Sequence, residues 1–260
     1  MPTTTPFSDS ERAVIRFLRL RSPRRWPFLV IAFLAALTAG CATSGTRESR
    51  ADTTAVTEPV PIDLTAFYDL RAHDSSQFGA WEVVPKGRQH FDGTPFEIGG
   101  MIRLYGTRPP PHGTRYRDEV TGIPIGRKFE ALHLLHGTGW TTNDGTLVAR
   151  VIFHYADGDR VSFPIVYGEH VRDWWRRSSS EANLVNDPRS SLVWEGSNRG
   201  TGLRFYRTTL LNPHAARIVD RIDVVSAQSL VTPAIVAMTL DRTGPATNLE
   251  APGENAAARP

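Results

Sequence analysis

Apolar and polar residues alternate with a period of two through the middle of the chain. From Ala149 the odd positions are apolar (Ala149, Val151, Phe153, Tyr155), while Arg150 and His154 fall on the other face. After Ala156, Asp157, Gly158 and Asp159 the alternation resumes with Val161, Phe163, Ile165 and Tyr167. Two alternating runs around an Asp-Gly turn predict a β-hairpin, because successive strand side chains point to opposite faces and Gly accepts the turn backbone. Phe129–His136 is a continuous apolar run bounded by Gly126 and Gly137, the pattern of a strand buried on both faces. Asn143-Asp144-Gly145 marks a further turn. Shorter strands fit Met101–Tyr105, Ser191–Trp194, Leu203–Leu210, Arg217–Ser226 and Ile235–Leu240, and a single helical turn is expected over Glu169–Trp175. No internal repeat or heptad pattern is present. Many short strands with Gly-, Asp- and Pro-rich turns predict an all-β protein, an antiparallel β-sandwich forming a single domain.

The two ends follow another pattern. Residues 1–40 have the order of a secretory signal: a basic stretch ending in Arg24 and Arg25, ten apolar residues from Phe28 to Leu37, then small residues. Ten residues are too few to span a bilayer, which takes about 20. The stretch runs into Leu37-Thr38-Ala39-Gly40-Cys41, which resembles a bacterial lipobox, with Thr38 where that pattern usually has Leu. Cys41 is the chain's only cysteine. It has no intramolecular disulfide partner, and a free thiol is a liability in an oxidising compartment, whereas diacylation gives the two chains that stable anchoring requires. Cys41 is therefore expected to be the lipidated first residue of the mature protein. The resemblance implies a bacterial envelope lipoprotein, and Ala42 after the cysteine points to the outer membrane. Residues 41–60 read as a lipidated N-terminus and flexible tether, 61–240 as the β-sandwich domain, and 241–260 as a disordered tail.

Charge changes the picture once the leader is set aside. The whole chain carries +3, from 30 basic and 27 acidic residues. Subtracting the six arginines and two acids of residues 1–40 leaves 24 basic and 25 acidic residues, a net of −1. The mature chain thus has no basic excess to attract nucleic acid, and the expected partners are the membrane, through the lipid, and a glycan or envelope protein.

Several segments carry a further resemblance: Leu132–Trp140 (LHLLHGTGW), His154–Gly158 (HYADG) and Pro164–Trp175 (PIVYGEHVRDWW), with Val84–Gly87, Phe91–Gly93 and Phe96–Ile102 upstream. They look like a family of uncharacterised bacterial envelope and secreted modules similar to galactose-binding-like jelly rolls, the architecture of many carbohydrate-binding modules. The resemblance implies a jelly-roll sandwich over residues 61–240 and leaves activity open, because that fold hosts binders and inert modules alike.

Candidate chemistry is sparse. No G-x-S-x-G, S-x-x-K, P-loop, dinucleotide fingerprint or H-E-x-x-H occurs, so no cofactor, metal site or catalytic set is expected. His133 and His136 lie three apart on a strand and so point to opposite faces, which keeps them from one ion. The strongest feature is Arg172-Asp173-Trp174-Trp175. Flat aromatic surfaces stack on sugar rings while neighbouring charged groups bond hydroxyls. The expected ligand site comprises Trp140, Tyr167, Glu169, Arg172, Asp173, Trp174 and Trp175, on a non-catalytic lipoprotein that binds a glycan or another envelope component. Two alternatives stand beside it. One is a hydrolase of envelope polysaccharide, using Glu169 and Asp173 as a carboxylate pair on a helical turn. The other is a structural or assembly lipoprotein in which the same aromatics are core.

Overall fold

The computed structural model describes residues 58–75, 79–108 and 113–241; the leader, Cys41, nearly all of the tether and residues 242–260 fall outside the described residues. In chain order the elements are β1 (Val60–Pro61), β2 (Leu70–Arg71), the short helix α1 (Ala80–Val83), β3 (Gly87–Phe91), β4 (Thr94–Ile98), β5 (Gly100–Arg103), β6 (Glu119–Arg127) and β7 (Ala131–Gly139). They continue with β8 (Leu147–Tyr155), β9 (Arg160–Val166), β10 (Trp175–Arg176), β11 (Ser190–Asn198), β12 (Thr201–Leu211), β13 (Val219–Ser226) and β14 (Thr232–Asp241). Every pairing between these strands is antiparallel.

The strands form an antiparallel β-sandwich. One sheet runs β10-β12-β7-β14-β5-β2, with β1 added to β14 and β11 to β12; the facing sheet runs β6-β13-β8-β9. The hairpin anticipated from alternation is β8–β9. Gly158 takes φ 96° in its turn, and Arg217 clamps both Asp157 and Asp159 across it. The inter-sheet core takes Leu132 and Leu134 from β7, Tyr206 and Leu210 from β12 and Met238 from β14. Against them pack Val151 and Phe153 from β8 and Ile222 and Val224 from β13. Such burial of contiguous apolar area is the main favourable contribution to folding.

A second apolar cluster lies on the other face of the larger sheet. There Leu135, Phe205 and Val236 meet Trp81 of α1, Phe96 and Ile98 of β4, and Met101. The larger sheet is thus covered on both faces, which is why β7 and β14 are buried along almost their whole length. The double-sided burial expected of Phe129–His136 is found, with the strand starting at Ala131. Trp81, at the centre of this layer, is fully buried and donates its indole N–H to the Arg71 carbonyl at 2.8 Å.

Two local expectations are corrected. Glu169–Trp175 is not a helical turn. Val171 is buried in the inter-sheet core, and the segment around it pairs with the end of β7: Thr138 N–H donates to the Arg172 carbonyl (3.1 Å) and Trp174 N–H to the Thr138 carbonyl (2.9 Å). These tertiary bonds consume the backbone groups a helix would use. The second correction is an added strand, β6, which alternation does not mark because Gly122, Pro124 and Gly126 interrupt it. Gly122 and Gly126 take φ 75° and 62°, and the register against β13 shifts along the strand. β6 lies at an edge, where a proline without an N–H costs no ladder bond.

Candidate functional site

The structure divides the anticipated site residues into three places. Trp140, Tyr167, Arg172 and Asp173 gather at the end of β7. Trp174 and Trp175 join an aromatic strip on the outer face of the larger sheet. Glu169 stands apart from both, half-buried, its Oε1 accepting from the Asn186 amide at 3.4 Å.

At the first place, polar groups are bonded to one another. Asp173 is fully buried: Oδ1 accepts the Trp175 N–H at 3.0 Å and Oδ2 accepts from Arg177 at 2.7 Å. Burial pushes its carboxyl up to about 6, opposed by the Trp175 N–H and the charges of Arg177 and Arg204. Tyr167, also buried, accepts the Asp173 N–H at its hydroxyl. Arg172 makes a bidentate pair with Asp144 (2.8 and 2.9 Å) and donates from Nε to the Leu184 carbonyl. Trp140, with φ 74°, packs against two cations: the guanidinium carbons of Arg108 and Arg177 stand 4.4 and 5.3 Å from its ring centroid. Asp173 is therefore a sealed, ion-paired carboxylate, and it does not face Glu169 across an open cleft as a glycosidase pair would.

The second place is a run of four aromatic rings in contact. Trp194 stacks on Phe205 (centroids 5.3 Å apart, 24° between planes), Phe205 stacks on Trp174 (5.6 Å, 12°), and Trp174 meets Trp175 edge-on (5.6 Å, 63°). Phe205 is buried at the centre while the three indoles are partly exposed. Glycines create this arrangement. A Cβ on Gly137 would stand 2.8 Å from the Trp174 Cβ, and one on Gly196 would stand 2.6 Å from the Trp194 ring, so only Gly lets the indoles lie flat on the strands. Arg176 approaches Glu195 (3.5 Å), whose carboxylate also accepts from the Asn183 amide at 3.2 Å; Glu195 pairs with Arg204 while Trp194 pairs with Phe205, so this polar group lies on the opposite face of β11 and β12 from the Trp194–Phe205 stack. A flat, partly exposed aromatic surface can stack on a sugar ring.

The histidines behave as separate core residues. His133 bonds Thr209 (2.9 Å) and approaches Asp241 (3.3 Å) on the outer face. His136 faces the inter-sheet side, where its Nε2 lies 2.8 Å from the Thr208 hydroxyl. That hydroxyl donates to the His170 carbonyl, so Nε2–H of a neutral His136 is the donor. Burial pulls His136 down to about 3 and lowers His133 and His170 as well. Among the described residues no three His, Cys, Asp or Glu side chains converge as a metal site would need.

Sequence reasoning offers Arg177 as a salt-bridge partner for the Glu169 and Asp173 carboxylates, and it is found on Asp173; Trp194, Arg204 and Phe205 were missed. Trp194 and Phe205 were legible as strand residues, but their stacking depends on β11 pairing with β12, where a register shift falls between Leu192 and Trp194. Arg204 carried no signal, being one polar position on an alternating strand. Comparison of the chain with protein-family models, curated proteins and solved structures finds no match in any of the three.

Proposed function

We propose that this chain is a non-catalytic lipoprotein of the bacterial cell envelope, whose sandwich binds a glycan through the strip formed by Trp174, Trp175 and Trp194. The observation that carries the reading is the run Trp194–Phe205–Trp174–Trp175, with its three indoles partly exposed. A contiguous patch of partly exposed indoles marks an interaction surface, and an indole face suits a pyranose ring. The sealed state of Asp173 weighs against a two-carboxylate hydrolase.

Glycan-array screening followed by calorimetric titration of the purified chain tests the binding. A saturable glycan ligand is expected, with affinity reduced about tenfold or more by Trp175→Ala or by Trp194→Ala, as for aromatic anchors of interfaces. Uniformly null binding, or binding indifferent to both changes, overturns it. The anchor has its own test. Intact mass of the membrane fraction is expected to show a diacylglyceryl-modified chain beginning at Cys41, lost in Cys41→Ser; an unmodified mass rules the anchor out.

A further inference from the structure

We propose that the cleft lined by Asp69, Arg103 and residues 114–118 binds an oxyanion, the phosphate or carboxylate group of a larger ligand, through Arg103, Arg115 and Arg117. The cleft has a volume of about 450 Å³, within the range of sites for small ligands. It lies at the β5–β2 end of the larger sheet, whereas the aromatic strip lies at the β10–β12 end, and neither depends on the other.

Arg103 is the built part of the site. Asp69 accepts its backbone N–H at 2.6 Å and its Nε–H at 2.7 Å, and the guanidinium lies 4.7 Å above the Tyr116 ring. The planar group is thus held on one edge and one face. Its two terminal nitrogens make no bond to any described acceptor, so a fork of N–H donors is presented in a fixed orientation. Such a fork matches an oxyanion with two parallel bonds, and little rotamer freedom remains to be lost on binding.

Arg117 stands alongside. Its backbone pairs with Leu104, the residue after Arg103, and its carbonyl accepts the Tyr105 N–H at 2.8 Å. The two arginines therefore hang from adjacent, hydrogen-bonded backbone. Arg115 and Arg117 are exposed, and neither pairs with a described carboxylate. Thr114 adds a hydroxyl donor. Against three guanidiniums the lining sets two carboxylates, of which Asp69 is already committed to Arg103 and only Asp118 opposes an incoming anion. That balance repels a cation and suits a single anionic group.

The test titrates the full chain, at low ionic strength, separately with inorganic phosphate and with galacturonate. Saturable binding of either is expected, phosphate alone indicating a phosphorylated ligand and galacturonate alone a uronate. Arg115→Ala with Arg117→Ala should weaken it about tenfold or more, consistent with charge-assisted bonds. Asp118→Asn should strengthen it a few-fold, which a fold defect would not do, and Trp175→Ala should leave it unchanged. No saturable binding of either anion up to roughly 10 mM, or equal affinity in the double arginine variant, overturns the proposal.

Discussion

Replacing Arg204 by Met is expected to destabilise the domain by about 3–5 kcal/mol, the usual consequence of removing one partner of a buried charged network. Arg204 is 1% exposed. Its Nε donates to the Asp173 carbonyl (2.8 Å), and its Nη1 donates to the Ala182 carbonyl (2.8 Å) and the Asn183 side chain (2.6 Å). Nη2 reaches Glu181 at 3.4 Å. One guanidinium thereby ties the 181–183 loop to the segment entering β10. A methionine fills similar volume but leaves the buried Asp173 carbonyl without its guanidinium donor and removes a positive charge near a buried carboxylate. Arg204→Lys should recover only a small part, since one ammonium cannot reproduce the planar fork that spans these acceptors. Urea unfolding at neutral pH measures the change, and a loss below about 1 kcal/mol would show that water substitutes for the guanidinium.

Acidification is expected to destabilise the fold through His136, with Asp173 opposing it. In the unfolded chain an imidazole takes up its proton near 6.5, whereas His136 stays neutral in the fold down to about 3. Between those values the unfolded state binds more protons, so stability falls as pH drops, by about 3 kcal/mol for this group between pH 7 and 4. His133 and His170, also lowered by burial, act in the same direction. Asp173 has the opposite sign. Its folded carboxyl titrates at about 6, above its unfolded value of 3.8. The folded state binds the extra proton there, and this group adds about 2 kcal/mol as pH falls through the same range. The wild-type profile is the difference of the two, and single variants separate them. Relative to its own stability at pH 7, His136→Gln should lose about 3 kcal/mol less than wild type by pH 4, and Asp173→Asn about 2 kcal/mol more. Chemical denaturation at a series of pH values gives the profiles; three parallel curves would sink the assignment.

Much of the fold was legible because strand alternation is a local signal. Ala149–Tyr155 and Val161–Tyr167 appear as β8 and β9 with the turn at Asp157-Gly158, since neither the period of two nor the glycine turn needs distant information. The short strands β5, β11, β12, β13 and β14 were likewise placed, with ends displaced by a few residues. β6 was hidden because edge strands admit the glycines and proline that elsewhere end a strand. The helical turn over Glu169–Trp175 failed for the converse reason: residue spacing there fits a helix, but β7 takes the backbone of Arg172 and Trp174.

The candidate site was legible in residue type and not in grouping. Trp174 and Trp175 were legible as adjacent aromatics, yet their companions in the structure are Phe205 and Trp194, brought by strand pairing across large sequence separations. Asp173, the residue before Trp174, is instead fully buried in an ion pair with Arg177. Arg103, Arg115 and Arg117 drew no notice in the sequence, because what distinguishes them is the Asp69 clamp and a cleft that forms only when residues 114–118 lie against β5.

The sequence by itself determined that this protein is an antiparallel β-domain, because periodicity and turn chemistry are written in adjacent residues. Tertiary structure alone decided that the larger sheet is buried on both faces, that Asp173 is closed while three indoles stay partly open, and that Arg103 presents a fixed fork. Those properties depend on which strands pair and what covers each face, and a buried charge or an exposed ring is defined only by what lies against it.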